Sequence, residues 1–189
     1  AADKSAQVIN GAYGYDLFAN FQDVFNVATE NGKEHIFSMQ FKSNSGGRGN
    51  SMAQRSTPNN IPGILGDNAD MPNAGVYNLY SATDKRRDVT FYTSLISPVD
   101  GKTYTFTPLF GKYRDPAVLA TPSESGVNVP LIRFAEVLLI NAEALNELGG
   151  PNTDAYNSIN RVRVRAGLDS LQNLTQDQFR DSVYLERRL

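Results

Sequence analysis

Apolar residues recur every three or four positions along the C-terminal third of the chain, which is the spacing of an amphipathic α-helix. Pro130 is predicted to lie in the first turn of this helix, and Gly149-Gly150-Pro151 to end it. A second helix is predicted over residues 154–166, with Gly167 as its cap. A third is predicted to open at Thr175, because Thr-Gln-Asp-Gln forms a capping box. The stripe of the first helix consists of Leu131, Phe134, Ala135, Leu138, Ala142, Leu145 and Leu148.

The N-terminal segment combines helical spacing with a short strand. Residues 1–28 are predicted to form two helical pieces separated near Gly11. Residues 35–41 alternate between apolar and polar positions, which predicts a strand that is apolar on one side. His35, the only histidine of the chain, is expected to be a strand-edge residue.

Two long polar loops and a β-hairpin are predicted in the middle of the chain. Residues 42–78 have no periodicity and are rich in Gly, Asn, Ser and Pro, and residues 111–129 form a second loop. Between the loops, residues 89–96 and 103–109 alternate around Asp100-Gly101, which predicts a hairpin. Because long loops in compact domains are usually functional, we expect a ligand to bind near 42–78.

Together these elements predict a mainly α fold: tetratricopeptide-like helical hairpins with long loops and a small β-hairpin. Two antiparallel helices joined by a tight turn form the unit of such repeats, and Ala142 and Ala155 would let them approach closely. We expect one domain over 1–189, divided into N-terminal helices (1–28), a loop and β-hairpin insertion (42–129) and C-terminal helices (130–189).

Composition excludes several classes of protein. The formal net charge of −2 creates no positive field for nucleic acid. The sequence contains no cysteine, so disulfides, thiolate chemistry and lipid attachment through cysteine are excluded within it. No apolar run approaches the ~20 residues of a membrane-spanning helix. Helical patterns without caps at both ends lead us to expect a piece of a longer protein.

Four C-terminal motifs resemble those of the SusD/RagB family. Residues 131–139, Leu-Ile-Arg-Phe-Ala-Glu-Val-Leu-Leu, and 141–147, Asn-Ala-Glu-Ala-Leu-Asn-Glu, resemble one helix of that family. Residues 160–168 are similar to its Arg-x-Arg-Ala-Gly-Leu helix, and 186–188 to its Glu-Arg-Arg segment. Weaker similarities occur upstream in the order that the family uses, at 21–25, 34–37, 84–87 and 112–114.

The resemblance implies a nutrient-binding lipoprotein on the surface of the bacterial outer membrane. Such a protein binds oligosaccharides without enzymatic activity and delivers them to a SusC-like TonB-dependent transporter. It requires no cofactor and contacts the membrane only through a lipid anchor, which is absent from this sequence, as are the family's N-terminal half and its extreme C-terminus. A peptide-binding member of the family, a tetratricopeptide-like scaffold for protein partners and a glycoside hydrolase remain the alternatives.

The residues predicted to bind the ligand are Arg48, Tyr77, Asn78 and Tyr80. Sugars bind flat aromatic faces through their C–H groups, while polar side chains meet their hydroxyl groups. Tyr77-Asn78-Leu79-Tyr80 at the end of the long loop combines both kinds of group, and Arg48 lies within that loop. The absence of tryptophan argues against a strong aromatic platform and favours the peptide-binding alternative.

No catalytic residue is predicted. Glu136, Glu143 and Glu147 share one helix face, and paired carboxylates are what glycoside hydrolysis requires. We expect instead that Glu136 or Glu143 forms an ion pair with Arg161 or Arg165 of the next helix.

No metal site or phosphate site is predicted either. The sequence has no Gly-x-Ser-x-Gly motif to present a nucleophilic serine to His35, so a catalytic triad is not predicted. Residues 45–50 match a phosphate-binding loop in glycine content only. Asp67, Asn68 and Asp70 lack the spacing of an EF-hand, so we expect a solvated turn there.

Overall fold

A computed structural model describes residues 1–43, 45–73, 75–120 and 124–189. Its helices are α1 (Ala2–Asn10), α2 (Met52–Arg55), α3 (Arg87–Thr90), α4 (Phe134–Gly149), α5 (Thr153–Arg165) and α6 (Gln176–Arg188). Its strands are β1 (His35–Met39), β2 (Phe91–Ile96), β3 (Thr103–Phe110) and β4 (Val129–Arg133). Short 3₁₀ helices span Phe21–Phe25, Val27–Thr29, Tyr77–Leu79 and Pro116–Val118. Positions 44 and 74 of the first predicted loop and 121–123 of the second lie outside the described residues.

Helix α4 forms the centre of the main core and packs against α1, α5 and α6. The predicted antiparallel hairpin of α4 and α5 is confirmed, and so is the mainly α fold class. Ala142 and Ala155 are fully buried, and their small side chains allow the two helices to lie close together. The other fully buried apolar side chains of this core are Phe134, Leu138, Ile159, Phe179 and Val183.

The predicted helix ends are confirmed as well. Gly150 follows α4 with a φ of 85°, and Gly167 follows α5 with a φ of 81°, a left-handed conformation that glycine adopts readily. At the start of α6, the Gln178 backbone N–H donates to Thr175 Oγ1 at 3.3 Å. The Thr175 N–H donates in turn to Gln178 Oε1 at 3.0 Å, which completes the capping box.

Strand β4 corrects the predicted start of the first C-terminal helix. Pro130 lies within β4, which pairs antiparallel with β1, and the helix begins only at Phe134. The Phe134 N–H donates to the Glu34 carbonyl at 2.9 Å, so a long-range backbone contact occupies the segment that local spacing assigned to the helix. Pairing with a distant strand outweighs helix propensity, which is a weak local preference.

The second helical piece predicted within 1–28 forms only in part, as the 3₁₀ helices Phe21–Phe25 and Val27–Thr29, while residues 12–20 are not helical. The Asp16 N–H donates to the Lys33 carbonyl at 3.0 Å, and the Phe18 N–H donates to Glu34 Oε2 at 2.8 Å. These contacts take backbone donors from a continuing α-helix. Phe21 and Val24 nevertheless remain buried, as their spacing predicted.

The predicted β-hairpin is formed by β2 and β3, with Gly101 at a φ of 69° in its turn. Helix α3 replaces the first residues of the predicted strand 89–96. The two long loops are joined to each other, because Asn50 and Ser125 exchange backbone hydrogen bonds of 2.9 Å. The loops are therefore held by long-range contacts. The division into three segments stays a prediction.

Candidate functional site

Glu34 is a fully buried carboxylate that joins three parts of the fold. Its Oε1 accepts from Arg133 Nη1 at 2.8 Å, and its Oε2 accepts from Arg165 Nη1 at 2.9 Å and from the Phe18 N–H at 2.8 Å. Buried charges are retained only when they are paired and hydrogen-bonded, and here both oxygens are occupied. The pairs attach the N-terminal segment to β4 and α5.

A second buried network attaches α3 to α6. Arg86 donates to Asp84 Oδ2 at 2.7 Å and to Glu186 Oε2 at 2.8 Å, and all three residues are buried. Arg163 of α5 reaches the other oxygen of Glu186 at 2.6 Å. This network joins the segment that precedes α3 to α5 and α6.

A cleft of about 400 Å³ lies between the 3₁₀ helix Phe21–Phe25 and the base of the β-hairpin. We call it the hairpin cleft and define it by six of its lining residues: Gln22, Phe25, Asn26, Tyr92, Lys112 and Arg114. Its volume is within the range of small-molecule sites, and it mixes aromatic walls with a few polar groups. Among the described residues it joins elements that are far apart in the sequence.

The cations of the hairpin cleft are held over aromatic rings. Lys112 Nζ lies 5.6 Å from the ring centroids of both Phe21 and Phe25, and the Arg114 guanidinium lies 5.0 Å from that of Tyr92. Burial, together with the charges of Arg133 and Arg86, lowers the pKa of Lys112 from 10.5 to about 8.

A hydrogen bond holds the Tyr92 side chain in place: its hydroxyl donates to the Ser56 carbonyl at 2.8 Å. Burial raises the pKa of the Tyr92 hydroxyl, so this group remains neutral and serves as a donor. Its ring is left as a wall of the cleft. Gln22 and Asn26 are exposed and also line the cleft. Asn26 Oδ1 already accepts from the Ala28 N–H at 2.9 Å, so Asn26 offers mainly its amide donors, while Gln22 offers both donors and an acceptor.

Two carboxylates also line the hairpin cleft. Asp88 accepts from Arg87 Nε at 2.9 Å. Asp115 accepts from the Ser125 hydroxyl at 2.8 Å and from the Ala117 N–H at 3.1 Å. The cleft can therefore stack a flat ring and form hydrogen bonds to several hydroxyl groups at once.

The structure separates the four residues that the sequence predicted for ligand binding. Arg48 is exposed and lines a shallow hollow together with Gln40, Phe41 and Lys42. Tyr77 is half-buried and packs edge-on against Phe91 at 5.4 Å, while Asn78 beside it is exposed.

Tyr80 is a core residue that is only 6% exposed. It packs on Phe91, and its hydroxyl donates to the Leu189 carbonyl at 2.5 Å. The ring is therefore not accessible to a ligand. The expectation that Tyr80 stacks on a sugar is therefore corrected. Arg48, Tyr77 and Asn78 stay a prediction.

The hairpin cleft was not predicted from the sequence. Phe25, Lys112 and Arg114 lie in two of the short upstream segments that resemble the SusD/RagB family, 21–25 and 112–114. The family resemblance of these two segments was visible in the sequence, but only the fold brings them together in one cleft.

The glutamates of α4 form ion pairs, but with other partners than those predicted. Arg187 Nη2 of α6 lies 2.9 Å from Glu143 and 3.4 Å from Glu136. Arg180 contacts Glu147 at 2.6 Å. Arg165 and Arg161 instead pair with Glu34 and Asp16, at 2.9 and 2.8 Å. Helix α6 faces this side of α4, and the sequence did not reveal that.

The remaining chemical candidates have structural roles. His35 is the first residue of β1 in a two-stranded sheet; it is buried, and its Nε2 forms a 2.9 Å hydrogen bond with the Val24 carbonyl. Asp70 is bound by Arg55 at 2.7 and 2.8 Å. Within the described part of the chain, no group of three or more potential metal ligands occurs. Nor is any helix there long and apolar enough to span a membrane.

Comparison with known proteins gives a consistent result. The sequence model of the SusD family matches residues 96–189. The SusD-like protein P2 of Formosa agariphila is 31% identical in an alignment that covers the whole chain and 43% of that relative. The chain thus spans less than half the length of this curated relative.

Solved structures share the fold. A SusD superfamily protein from Parabacteroides distasonis superposes with a TM-score of 0.85 at 23% identity, over 98% of this chain and 42% of that one. Surface glycan-binding protein A from Bacteroides uniformis superposes with a TM-score of 0.76 at 25% identity, over 98% and 41% of the two chains.

Proposed function

The chain belongs to the SusD family, and from this premise we propose that the protein binds oligosaccharides at the bacterial cell surface without altering them. The observation that carries the proposal is the hairpin cleft, where Phe25 and Tyr92 form aromatic walls and Gln22 and Asn26 present amides. Sugars are bound by such a mixture of flat apolar faces and convergent polar groups. The relative from Bacteroides uniformis is itself named as a surface glycan-binding protein.

The proposed binding involves no chemistry on the sugar. Hydrolysis requires two carboxylates held on either side of the scissile bond. The glutamates of α4 are held by arginines of α6, with Glu143 2.9 Å from Arg187 and Glu147 2.6 Å from Arg180. Their contacts support a role in holding α4 and α6 together.

Delivery of the bound sugar to a SusC-like TonB-dependent transporter is part of the same proposal. The protein would be attached to the outer membrane by a lipid anchor and exposed at the surface, as the family resemblance implies. The ion pair between Arg86 and Glu186 supports a site of fixed shape, because both residues are buried and paired at 2.8 Å.

Isothermal titration of the full-length protein against a panel of oligosaccharides tests the proposal. We expect at least one to bind, and Gln22→Ala to weaken its binding about three- to tenfold through the lost hydrogen bonds. Gln22 is exposed and has no hydrogen-bond partner among the described residues, so folding should be unaffected. The matched control is Gln172→Ala, which replaces another exposed glutamine outside the cleft.

Three results would contradict the proposal. Binding of peptides but of no oligosaccharide would identify a peptide-binding member of the family. Equal loss of affinity in Gln22→Ala and Gln172→Ala would place the ligand elsewhere. Release of shorter sugars, abolished by Asp115→Asn in a folded protein, would reveal an enzyme.

A further inference from the structure

We propose, building on the proposed function, that the hairpin cleft selects oligosaccharides that carry an anionic group. The group would be the carboxylate of a uronic acid or a sulfate ester. The proposal rests on two cations, Lys112 and Arg114, that line the same cleft and have no carboxylate partner among the described residues.

The other buried cations around the cleft all have carboxylate partners. Arg86 is paired with Asp84 and Glu186, and Arg133 and Arg165 are paired with Glu34. This fold therefore neutralises its buried charges as a rule. Lys112 is the exception within the described part of the chain, and it lines both the cleft and the cavity on the helical side.

The surroundings of Lys112 hold its ammonium group without neutralising it. The rings of Phe21 and Phe25 attract the charge, each at 5.6 Å, and no described residue accepts a hydrogen bond from its ammonium group. On the cleft side the charged groups near it are Asp88, Arg114 and Asp115. On the helical side they are Arg86, Arg133, Glu136, Arg165, Glu186, Arg187 and Arg188.

An anion in the cleft would supply the missing charge. The neighbouring arginines and burial already oppose protonation of Lys112, whose pKa is lowered to about 8. A bound carboxylate or sulfate oxygen would favour the charged form and raise this pKa again. Binding of the anion is thus coupled to retention of a proton.

Arg114 adds geometry to the charge. Its guanidinium lies 5.0 Å from the centroid of the Tyr92 ring, and its backbone N–H donates to the Gly111 carbonyl at 3.1 Å, which fixes the turn that carries it. A planar guanidinium can bind a carboxylate or sulfate through two parallel hydrogen bonds. The Tyr92 ring, which Phe106 also contacts edge-on at 5.2 Å, forms the wall of the cleft beside this guanidinium.

The carboxylates of the cleft already have partners. Asp88 is paired with Arg87 at 2.9 Å, and Asp115 accepts from the Ser125 hydroxyl at 2.8 Å. They are suited to accept hydrogen bonds from sugar hydroxyl groups. Lys112 and Arg114 are therefore the groups of the cleft that would distinguish a charged sugar from a neutral one.

The test compares charged oligosaccharides with neutral forms of the same backbone, in isothermal titration of the full-length protein. One arm uses oligogalacturonates and their methyl esters together with neutral hexose oligosaccharides. The other uses sulfated galactan oligosaccharides and their desulfated forms, so that the arm that binds distinguishes carboxylate from sulfate. We expect a charged form to bind at least about tenfold more tightly than its neutral form, from charge-assisted hydrogen bonds.

Variants assign this preference to the cleft. Lys112→Met keeps the length and apolar stem of the side chain and should lower affinity for the charged form about tenfold, which removes most of its preference over the neutral form. Lys102→Met removes the same charge from a side chain that is 77% exposed and should change neither. Titrations at pH 8 in buffers of different ionisation enthalpy should show uptake of about half a proton, which Lys112→Met abolishes.

The outcomes separate this inference from the proposed function. Equal binding of charged and neutral forms, or an unchanged preference in Lys112→Met, overturns the inference and leaves oligosaccharide binding intact. Binding of none of these sugars, charged or neutral, overturns both.

Discussion

Replacement of Glu34 by glutamine removes one negative charge from a buried ion-pair network of the fold. The Glu34 side chain is 0% exposed, and its partner Arg165 is only 6% exposed. Glutamine has nearly the same shape, so the variant changes charge and hydrogen bonding without opening a cavity. The guanidinium of Arg165 would stay buried with no counter-ion, and that of Arg133 would lose its contact at 2.8 Å.

The expected loss of stability is large because water cannot replace the lost partner. Breaking a buried ion pair by removing one member costs about 3–5 kcal/mol. For a chain of this size each kcal/mol lowers Tm by about 2–4 °C, so we expect a decrease of roughly 6–20 °C. The Nε of Arg165 has no hydrogen-bond partner among the described residues, so its guanidinium depends on the contact of Nη1 with Glu34.

Glu147→Gln is the matched control. Glu147 also uses both oxygens, which accept from Arg180 at 2.6 and 2.8 Å, but its side chain is 45% exposed. An exposed pair contributes only about 0–1 kcal/mol, since water and salt screen it. Urea denaturation and calorimetry of both variants would measure the difference at one pH and salt concentration. Equal destabilisation by Glu34→Gln and Glu147→Gln would refute the reasoning that burial decides the value of these pairs.

Two further predictions concern pH and backbone conformation. Because the folded pKa of Lys112, about 8, lies below its ordinary value of 10.5, the unfolded chain binds more protons between these values, and stability rises with pH across that window. The gain should reach about 3 kcal/mol relative to Lys112→Met in urea titrations; parallel pH profiles would contradict it. Gly167→Ala, at a φ of 81° and with Lys85 Cε 3.2 Å from the new Cβ, should lower stability by about 1–2 kcal/mol. Gly149→Ala, with open space around the Cβ, should be neutral or stabilising by up to about 1 kcal/mol; equal effects of the two substitutions would contradict this.

Local periodicity was sufficient for the helical core and the hairpin. The glycines after α4 and α5 and the capping box of α6 depend on neighbours within a few residues, and the structure has them as predicted. Of the predicted stripe, Phe134, Ala135, Leu138 and Ala142 are buried in α4, whereas Leu131 lies in β4 and Leu148 is exposed. The alternation around Gly101 predicted β2 and β3 for the same reason. Such patterns are reliable because they reflect which side of an element is buried.

Local patterns failed where distant groups competed for the backbone. Pro130 was expected in a helix, but its segment pairs with β1, which lies more than ninety residues earlier. The segment around Phe18 was expected to continue as a helix, but Glu34 takes its N–H. Contacts of this kind depend on the assembled fold, so no window of the sequence contains them.

The candidate site likewise combines features visible in the sequence with features that depend on the fold. The aromatic and polar ingredients of Tyr77-Asn78-Leu79-Tyr80 were visible in the sequence, but the structure buries Tyr80 in the core. Phe25, Tyr92 and Lys112 are distributed over almost ninety residues, and they form one cleft only after folding. Composition identified suitable residue types but not their exposure.

By itself, the sequence determined the helical hairpin of α4 and α5 and the likeness to the SusD family, because both depend on the order of side chains along one segment. Only the tertiary structure decided which charges are neutralised. Glu34 is 99 residues from Arg133 and 131 from Arg165, yet it pairs with both. Lys112 has no such partner among the described residues. The strength of a charge interaction depends on distance and burial in space, and neither quantity is encoded in local spacing.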